Sequence, residues 1–157
     1  MFGLIDIKMH MELKINVKLV NYDVPTSIPK YAKEGDAGLD IVATSKEVID
    51  KGEFGYIEYG TNLAFEIPDG YYMDIRPRSS ISNTGMILGN AVAVIDSGFR
   101  GEVKLRFKWI KDTKQYEVGE RIAQVIILPY PKVEFVLVED LFTTDRGTGG
   151  FGSTGAF

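Results

Sequence analysis

The stretch VKLRFKW, residues 103–109, alternates apolar and cationic side chains without a break. Side chains of a β-strand point alternately to its two faces, so this stretch predicts a strand with one core face and one cationic face. Residues 13–19, LKINVKL, repeat the alternation with Lys and Asn on the polar side. No long stripe with the 3.6-residue period of a helix is present. The sequence therefore favours an all-β fold.

Further strands are predicted by runs rich in Val, Ile, Tyr and Phe, which strands prefer. Turn-forming residues such as Pro68-Asp69-Gly70 separate these runs. One short helix is predicted at Ser79–Asn83, with Ser79 as its N-cap. Many short strands favour a barrel or sandwich that closes to hide its edges. The additional predicted strands are Gly55–Ile67, Tyr71–Ile75, Met86–Ile95, Arg121–Leu128 and Val133–Val138.

The length of 157 residues is that of one domain. We predict a single β-barrel domain over residues 1–142, in which residues 1–11 are a possible extension. The composition changes only at residues 143–157, which are rich in Gly, Thr and Ser and contain two phenylalanines. Such a segment cannot bury a core, so we predict a flexible C-terminal tail.

Composition excludes several kinds of chemistry. The chain has no cysteine and a single histidine, His10, so disulfides, thiolate sites, Ser-His-Asp triads and multi-His zinc sites cannot form within it. The formal net charge of −4 argues against nucleic acid as a partner. No apolar run approaches the roughly 20 residues that cross a bilayer, and the N-terminus does not resemble a signal peptide. We therefore expect no membrane association and a cytoplasmic protein, or one of the host cytoplasm if the source is viral.

Two segments have the composition of anion sites. Arg76-Pro77-Arg78-Ser79-Ser80 places arginines and hydroxyls between a strand and a predicted helix start, although a capped helix with surface arginines is equally compatible. The tail motif GTGGFG, residues 147–152, matches the glycine fingerprint of dinucleotide folds, but the chain ends too soon for the required helix. Glycine-rich backbone beside Arg146 still suits phosphate, and Phe151 suits stacking on a ligand, unless this terminus is simply disordered.

Asp96 is the best candidate for a general base. It follows the apolar run Val92–Ile95, where partial desolvation would make the carboxylate a better proton acceptor. The alternative is an ordinary turn residue before Ser97-Gly98. Asp36 and Asp40 could flank a metal, although a polar turn is the simpler interpretation. Residues 119–124, GERIAQ, taken alone predict only a turn that enters a strand.

Taken in order, these five segments resemble the motifs of the trimeric deoxyuridine triphosphatases (dUTPases), from about Lys14 to Gly155. The resemblance implies a distorted jelly-roll-like β-barrel and a homotrimer with an exchanged C-terminal tail. It implies hydrolysis of dUTP to dUMP and pyrophosphate, which lowers dUTP and supplies dUMP for thymidylate synthesis. It also implies Mg²⁺ held by the triphosphate without direct protein ligands, with Asp36 in the outer shell.

The resemblance further implies a role for each matching residue. Asp96 would orient and deprotonate the water that attacks the α-phosphorus. Tail residues 143–157 would act as a lid over the bound nucleotide. The expected substrate contacts are Asn90, Val94, Ile95 and Lys104 at the uracil, Phe99 under the deoxyribose, Arg78, Ser79, Ser80 and Gln124 at the phosphates, Arg146 and Gly152 over the γ-phosphate, and Phe151 stacked on the uracil.

Three positions depart from the family pattern: Phe99 stands where Tyr is usual, Ala93 where Gly is usual, and Gly98 where an acid is common. We expect activity to survive these changes. The sequence leaves open whether the cations of residues 104–108 face a channel between subunits or solvent. Two alternatives also stay open. One is a dCTP deaminase-like enzyme of the same fold, for which no clear Glu stands at the expected pocket, and the other is a non-catalytic trimeric binding or regulatory protein.

Overall fold

The structure is a computed structural model that describes residues 13–110 and 112–150. Over these residues the chain is built from short β-strands and a single 3-10 helix, Ser79–Asn83, so the all-β prediction is confirmed. None of the helical structure in the described part is long and apolar enough to span a bilayer. The strands are β1 (Asn16–Leu19), β2 (Leu39–Val42), β3 (Ser45–Ile49), β4 (Tyr56–Gly60), β5 (Leu63–Glu66), β6 (Tyr71–Pro77), β7 (Met86–Leu88), β8 (Ala93–Ile95), β9 (Lys104–Trp109) and β10 (Arg121–Pro129).

The strands form two four-stranded sheets and a two-stranded ribbon. One sheet has the order β2-β10-β6-β8, the other β3-β4-β9-β7, and β1 pairs with β5. Every pairing between these strands is antiparallel. The inner faces of the sheets enclose the core, as expected when half-buried antiparallel sheets pack face to face.

The alternation predicted for residues 103–109 is confirmed by β9. Leu105 and Phe107 are buried, whereas Lys104 and Arg106 are exposed on the outer face. The Phe107 ring meets Tyr59 edge-on with centroids 5.6 Å apart, and the Tyr59 hydroxyl donates a 2.9 Å hydrogen bond to the carbonyl of Tyr116. Burial raises the pKa of Tyr59 to about 12. Beta9 is therefore the central strand of the core.

Two predicted strands are each split by a turn. Asn62 has a positive φ of 58° and divides the predicted strand Gly55–Ile67 into β4 and β5. Ala91 has a φ of 59° and divides Met86–Ile95 into β7 and β8, with the amide of Ala91 donating to the carbonyl of Leu88. A residue in the left-handed region cannot continue an extended strand, so the backbone turns at both positions.

Other predictions need correction. The predicted strand Val133–Val138 is wrong, because this segment is irregular and has no strand partner among the described residues. Ser79 is not an N-cap: the cap is Arg78, without a side-chain hydrogen bond, and the helix is a 3-10 turn. Strands β2 and β3 were not predicted, since β2 begins inside the acidic segment interpreted as a polar turn. The predicted first strand is shorter than expected and begins at Asn16.

Candidate active site

The turn between β7 and β8 borders a cavity of about 360 Å³ on the outer face of β9. Asn90 and Lys104, two of the predicted base contacts, both line it together with Ala93. The amide of Gly89 donates a 2.7 Å hydrogen bond to the carbonyl of Arg106, which fixes the turn against β9. Val94, which follows Ala93 in β8, is 59% exposed. Amide, backbone and cationic groups thus surround a space that a pyrimidine ring can occupy.

Asp96 lies directly after β8, at the start of a turn in which the amide of Phe99 donates to the Asp96 carbonyl over 3.1 Å. Its side chain is exposed in the single chain, so the expected partial desolvation is not found. Ile95, the last residue of β8, is half-buried and packs against the core. The Phe99 ring lies against Gly101, where an added Cβ would come within 2.7 Å of the ring. A side chain at position 101 would therefore displace this aromatic plate.

A second group of predicted residues surrounds the end of β6. Arg78 and Ser80 line a cavity of about 480 Å³ together with Arg121. The Gln124 amide group donates a 3.3 Å hydrogen bond to the carbonyl of Pro77, which brings it to the same end of the sheet. Ser79 is exposed at the first position of the 3-10 helix. Two guanidinium groups beside hydroxyls and an amide form a suitable site for phosphate oxygens.

Asp40 holds this cationic group together. Its two carboxylate oxygens accept hydrogen bonds from Arg78 Nε and from Arg121, each at 2.9 Å. In the sheet, Gln124 of the middle strand β10 pairs with Asp40 of β2 on one side and with Arg76 of β6 on the other. The sequence does not predict this role, because the two arginines that Asp40 joins lie 38 and 81 positions further along the chain. Contacts over such separations leave no local pattern. The only local indication of this role in the sequence is that Asp40 is an acidic residue within a short apolar run.

Asp36 has a different environment from Asp40. Its carboxylate is exposed, and one oxygen accepts a 2.9 Å hydrogen bond from the amide of Lys33. This contact closes a turn and leaves the second oxygen free for water.

Arg146 belongs to neither cavity, and its Nε donates to the carbonyl of Gly149 within an exposed turn. Phe151 and Gly152 lie outside the described residues.

The two groups of predicted residues do not share a cavity. Asn90 and Lys104 line one, Arg78 and Ser80 line the other, and neither cavity includes a member of the other group. A third cavity of about 980 Å³ is a largely apolar groove between β1 and the β2-β10-β6 sheet, and it contains none of the predicted site residues. We call it the apolar groove. Its lining suits a hydrophobic segment better than a charged nucleotide.

Glu58 forms an ion-pair cluster beside the first cavity, which sequence reasoning also missed. Its carboxylate accepts hydrogen bonds from Lys104 at 3.0 Å and from Arg106 at 2.9 Å. Burial pushes the pKa of Glu58 upward, but the hydrogen bonds and charges of these two cations outweigh it and lower the pKa below its ordinary value of 4.5. Glu58 is therefore an ionised anchor for two cations.

The family model for dUTPase matches residues 25–155 of this chain. The chain belongs to the dUTPase family. The family resemblance expected from the sequence is thereby confirmed over most of the chain.

Curated relatives agree over nearly the full length. Deoxyuridine 5'-triphosphate nucleotidohydrolase from Clostridium acetobutylicum is 39% identical over 143 residues, covering 90% of this chain and 97% of that protein. The enzyme of the same name from Nautilia profundicola is 40% identical over 145 residues, covering 91% and 99%. Among solved structures, the dUTPase of Staphylococcus bacteriophage 80alpha with dUPNHPP is 27% identical to this chain and superimposes with a TM-score of 0.72. The match covers 91% of this chain and 99% of the phage protein.

The ion pairs of Glu58 predict a specific pH dependence of stability. Because the folded-state pKa of Glu58 is lowered, its stabilisation is present above the ordinary value of 4.5 and is lost as the pH falls through the folded-state pKa. We expect the difference in free energy of unfolding between the wild-type chain and Glu58→Gln to be largest near neutral pH and to shrink below pH 4.5. Urea unfolding from pH 3 to 7, roughly the range over which carboxylates titrate, measures this difference.

The matched control is Glu53→Gln, at an exposed residue between β3 and β4 that forms no ion pair among the described residues. Its unfolding free energy should follow the wild-type pH profile. A difference between Glu58→Gln and wild type that stays constant across this pH range would contradict the assignment of an ionised, paired Glu58.

Proposed function

We propose that this chain hydrolyses dUTP to dUMP and pyrophosphate. The observation that carries the proposal is the presence, in a dUTPase-family chain, of one cavity suited to a pyrimidine and one cationic cavity suited to phosphates. The oxygen of a water molecule attacks the α-phosphorus, the bond to the bridging oxygen breaks, and pyrophosphate leaves. Asp96 orients that water and accepts its proton, which is general-base assistance worth about 10²–10⁴ in rate.

The base and sugar are assigned to the turn and strands around β8. Asn90 and the backbone of Val94, Ile95 and Lys104 are proposed to contact uracil in the cavity described above. The exposed Phe99 ring, supported on Gly101, is proposed to pack under the deoxyribose. An aromatic surface at this point leaves little room for a 2′-hydroxyl. The family usually has Tyr at the position of Phe99, and the tyrosine hydroxyl is dispensable for packing of the ring.

The phosphates are assigned to Arg78, Ser79, Ser80 and Gln124. The Asp40 bridge supports this assignment, because it fixes the orientation of Arg78 before substrate arrives. Residues 143–157 are proposed to form a lid that excludes water from the closed site. Within that lid the proposed contacts are Arg146 and Gly152 at the γ-phosphate and Phe151 on the uracil.

Mg²⁺ is the proposed cofactor. Among the described residues there is no group of three His, Cys, Asp or Glu side chains that could chelate a metal by themselves. Asp36 has a free carboxylate oxygen at an exposed turn, which suits a hydrogen bond to a metal-bound water, whereas Asp40 uses both oxygens on arginines. Mg²⁺ bound by the triphosphate would neutralise charge on the phosphates, with Asp36 in the outer shell.

A dCTP deaminase-like activity is the less favoured alternative. That chemistry requires a Glu that exchanges a proton at C4 of the ring, and the lining of the cavity at Asn90 includes no carboxylate. Glu58 lies beside the cavity, outside its lining, and is held as an ionised group by Lys104 and Arg106, which does not suit a proton donor. The arrangement therefore favours hydrolysis at phosphorus.

The role of Asp96 predicts a loss of turnover without a loss of binding. Asp96→Asn keeps the size of the side chain but removes its capacity to accept a proton, so kcat for dUTP should fall by about 10²–10⁴. The KM should change little, because Asp96 is proposed to contact the attacking water rather than the nucleotide. Pyrophosphate release from dUTP with Mg²⁺ measures both constants. A kcat within a factor of about two of wild type would remove Asp96 from the proposed mechanism.

We propose that the functional assembly is a homotrimer in which residues 131–142 leave their own barrel and dock on a neighbouring one. We call this segment the C-terminal arm. Phe135, Leu137 and Phe142 are essentially fully exposed in the single chain. Extended, the arm spans about 40 Å. An exposed apolar arm and an apolar groove are complementary, and oligomerisation would bury both.

The separation of the two cavities also supports the trimer. A single dUTP has to contact the residues around Asn90 and those around Arg78 at once, and one chain presents them in different cavities. A site shared between subunits would bring the two groups together without changing either barrel. The proposed location is the cytoplasm, where the enzyme would lower dUTP and supply dUMP for thymidylate synthesis.

The arm predicts that assembly depends on its apolar side chains. The double variant Phe135→Asp, Leu137→Asp should dissociate the trimer while each barrel keeps its own fold, because both side chains lie outside the core of their own chain. Analytical ultracentrifugation measures the mass, and circular dichroism checks the β-fold. The control variant, Glu139→Gln in the same arm, should remain trimeric. A double variant that stays trimeric at low micromolar concentration would contradict the arm's role.

A further inference from the structure

The loop between β8 and β9 begins with Asp96, whose side chain is exposed. In the described part of the chain Asp96 forms no ion pair. Its backbone carbonyl, rather than its carboxylate, accepts the 3.1 Å hydrogen bond from the amide of Phe99. The position of this carboxylate is therefore set by the backbone of the loop.

The Arg100 side chain folds back onto the same loop. Its Nη1 donates hydrogen bonds to the carbonyl of Ser97 and, over 3.0 Å, to the carbonyl of Phe99. A guanidinium Nη1 carries two N–H groups, so one nitrogen can serve both acceptors, and its charge strengthens both bonds. Arg100 thus adds two bonds to the one backbone bond that closes the turn. It forms no ion pair with any described residue, so its charge is not used in a surface salt bridge.

The rest of the loop offers little other restraint. The Ser97 hydroxyl lies 3.4 Å from a carboxylate oxygen of Asp69, which is near the long limit for a hydrogen bond. Gly98 has a φ outside the left-handed region, and a Cβ added there would meet no atom within 4 Å. Nothing among the described residues requires glycine at this position, and its backbone freedom loosens the turn. The order of the turn therefore depends on Arg100.

We propose that Arg100 is a positioning residue for hydrolysis, which fixes the backbone of the loop and thereby holds the Asp96 carboxylate at the attacking water. This inference rests on the proposed function and adds to it a residue that does not itself contact the substrate. In-line attack requires close alignment of the water with the α-phosphorus, and a displacement of about 1 Å can cost roughly 10²-fold in rate. A loop that samples several conformations therefore lowers turnover even when Asp96 is present.

Arg100→Met keeps an apolar stem of similar length but removes the donors. We expect kcat for dUTP to fall roughly 10- to 100-fold. The KM should stay within about threefold, because most of the proposed contacts to the base and the phosphates lie outside this loop. The matched control is Lys46→Met, which removes a cation that is bonded to Glu117 from the edge strand β3. Both constants of Lys46→Met should stay within about twofold of wild type.

A double-mutant cycle with Asp96→Asn separates positioning from a merely structural role. If Arg100 acts through Asp96, Arg100→Met should lower the residual kcat of Asp96→Asn by no more than about twofold, although it lowers that of wild type about 10-fold or more. A merely structural role would lower both by the same factor. Equal losses in the two backgrounds, or a wild-type kcat in Arg100→Met, would overturn the inference and leave the proposed function intact. A wild-type chain that does not hydrolyse dUTP would overturn both.

Restoring order to the loop by another route is a second test. Gly98→Ala restricts the backbone without a clash, so it should raise the kcat of Arg100→Met about threefold or more and change that of wild type less than about twofold. No recovery in the double variant would overturn the inference. Arg100 is exposed, so Arg100→Met should keep its β-fold by circular dichroism. Should it fail to fold, Arg100→Gln, which is too short to reach both carbonyls, replaces it in the same cycle with the same expected losses.

Discussion

The alternation of side chains along β9 constrains the whole molecule. Leu105 and Phe107 are at the centre of the core, so their neighbours Lys104 and Arg106 have to point outward. The same strand therefore supplies the packing that holds the two sheets together and one wall of the cavity at Asn90. A shift of register by one residue would exchange the two faces and abolish both at once. The packing of the core and the shape of this cavity are therefore coupled through a single strand.

A second constraint lies in the opposite sheet. Asp40 in β2 is bonded to Arg78 after β6 and to Arg121 in β10, so one carboxylate connects three strands at the edge where the proposed phosphate contacts lie. Without that acid the guanidinium groups would repel one another and would spread over several rotamers. The bridge thus fixes two guanidinium groups in the free chain. Under the proposed function, this preorganisation would reduce the number of side chains that a bound triphosphate has to order.

The sequence predicted the fold class and the main strands because their alternation is local. Beta6, β9 and β10 follow from patterns within a few residues. The splits at Asn62 and Ala91 were missed although turn-forming residues, Gly60-Thr61-Asn62 and Gly89-Asn90, stand at both, because the apolar residues on either side were interpreted as one continuous strand. The segment Val133–Val138 was predicted as a strand from its apolar residues, but it pairs with no strand among the described residues. A strand pattern without a partner in its own chain points to a partner in another.

The site was predicted unevenly for a similar reason. The ordered motifs predict Arg78, Asn90 and Gln124 as site residues, and the structure places Arg78 and Asn90 at two different cavities. The Asp40 bridge and the Glu58 cluster were missed, because each joins residues tens of positions apart. Exposure of Asp96 in the single chain was also not expected, since a sequence carries no information on whether a second subunit covers a given surface.

In the proposed trimer, Asp96, which follows β8 and the turn at Asn90, belongs to one chain of each site, and Arg78 belongs to another. Subunit complementation tests this arrangement most directly: two differently tagged chains, one carrying Asp96→Asn and the other Arg78→Ala, are co-expressed and purified through both tags. Each variant alone should be nearly inactive, whereas every trimer that contains both chains should have about one third of its sites with both residues intact. Hydrolysis of dUTP by the mixed trimers well above that of either variant alone is the expected result. Mixed trimers no more active than the two parents would contradict a site shared between subunits.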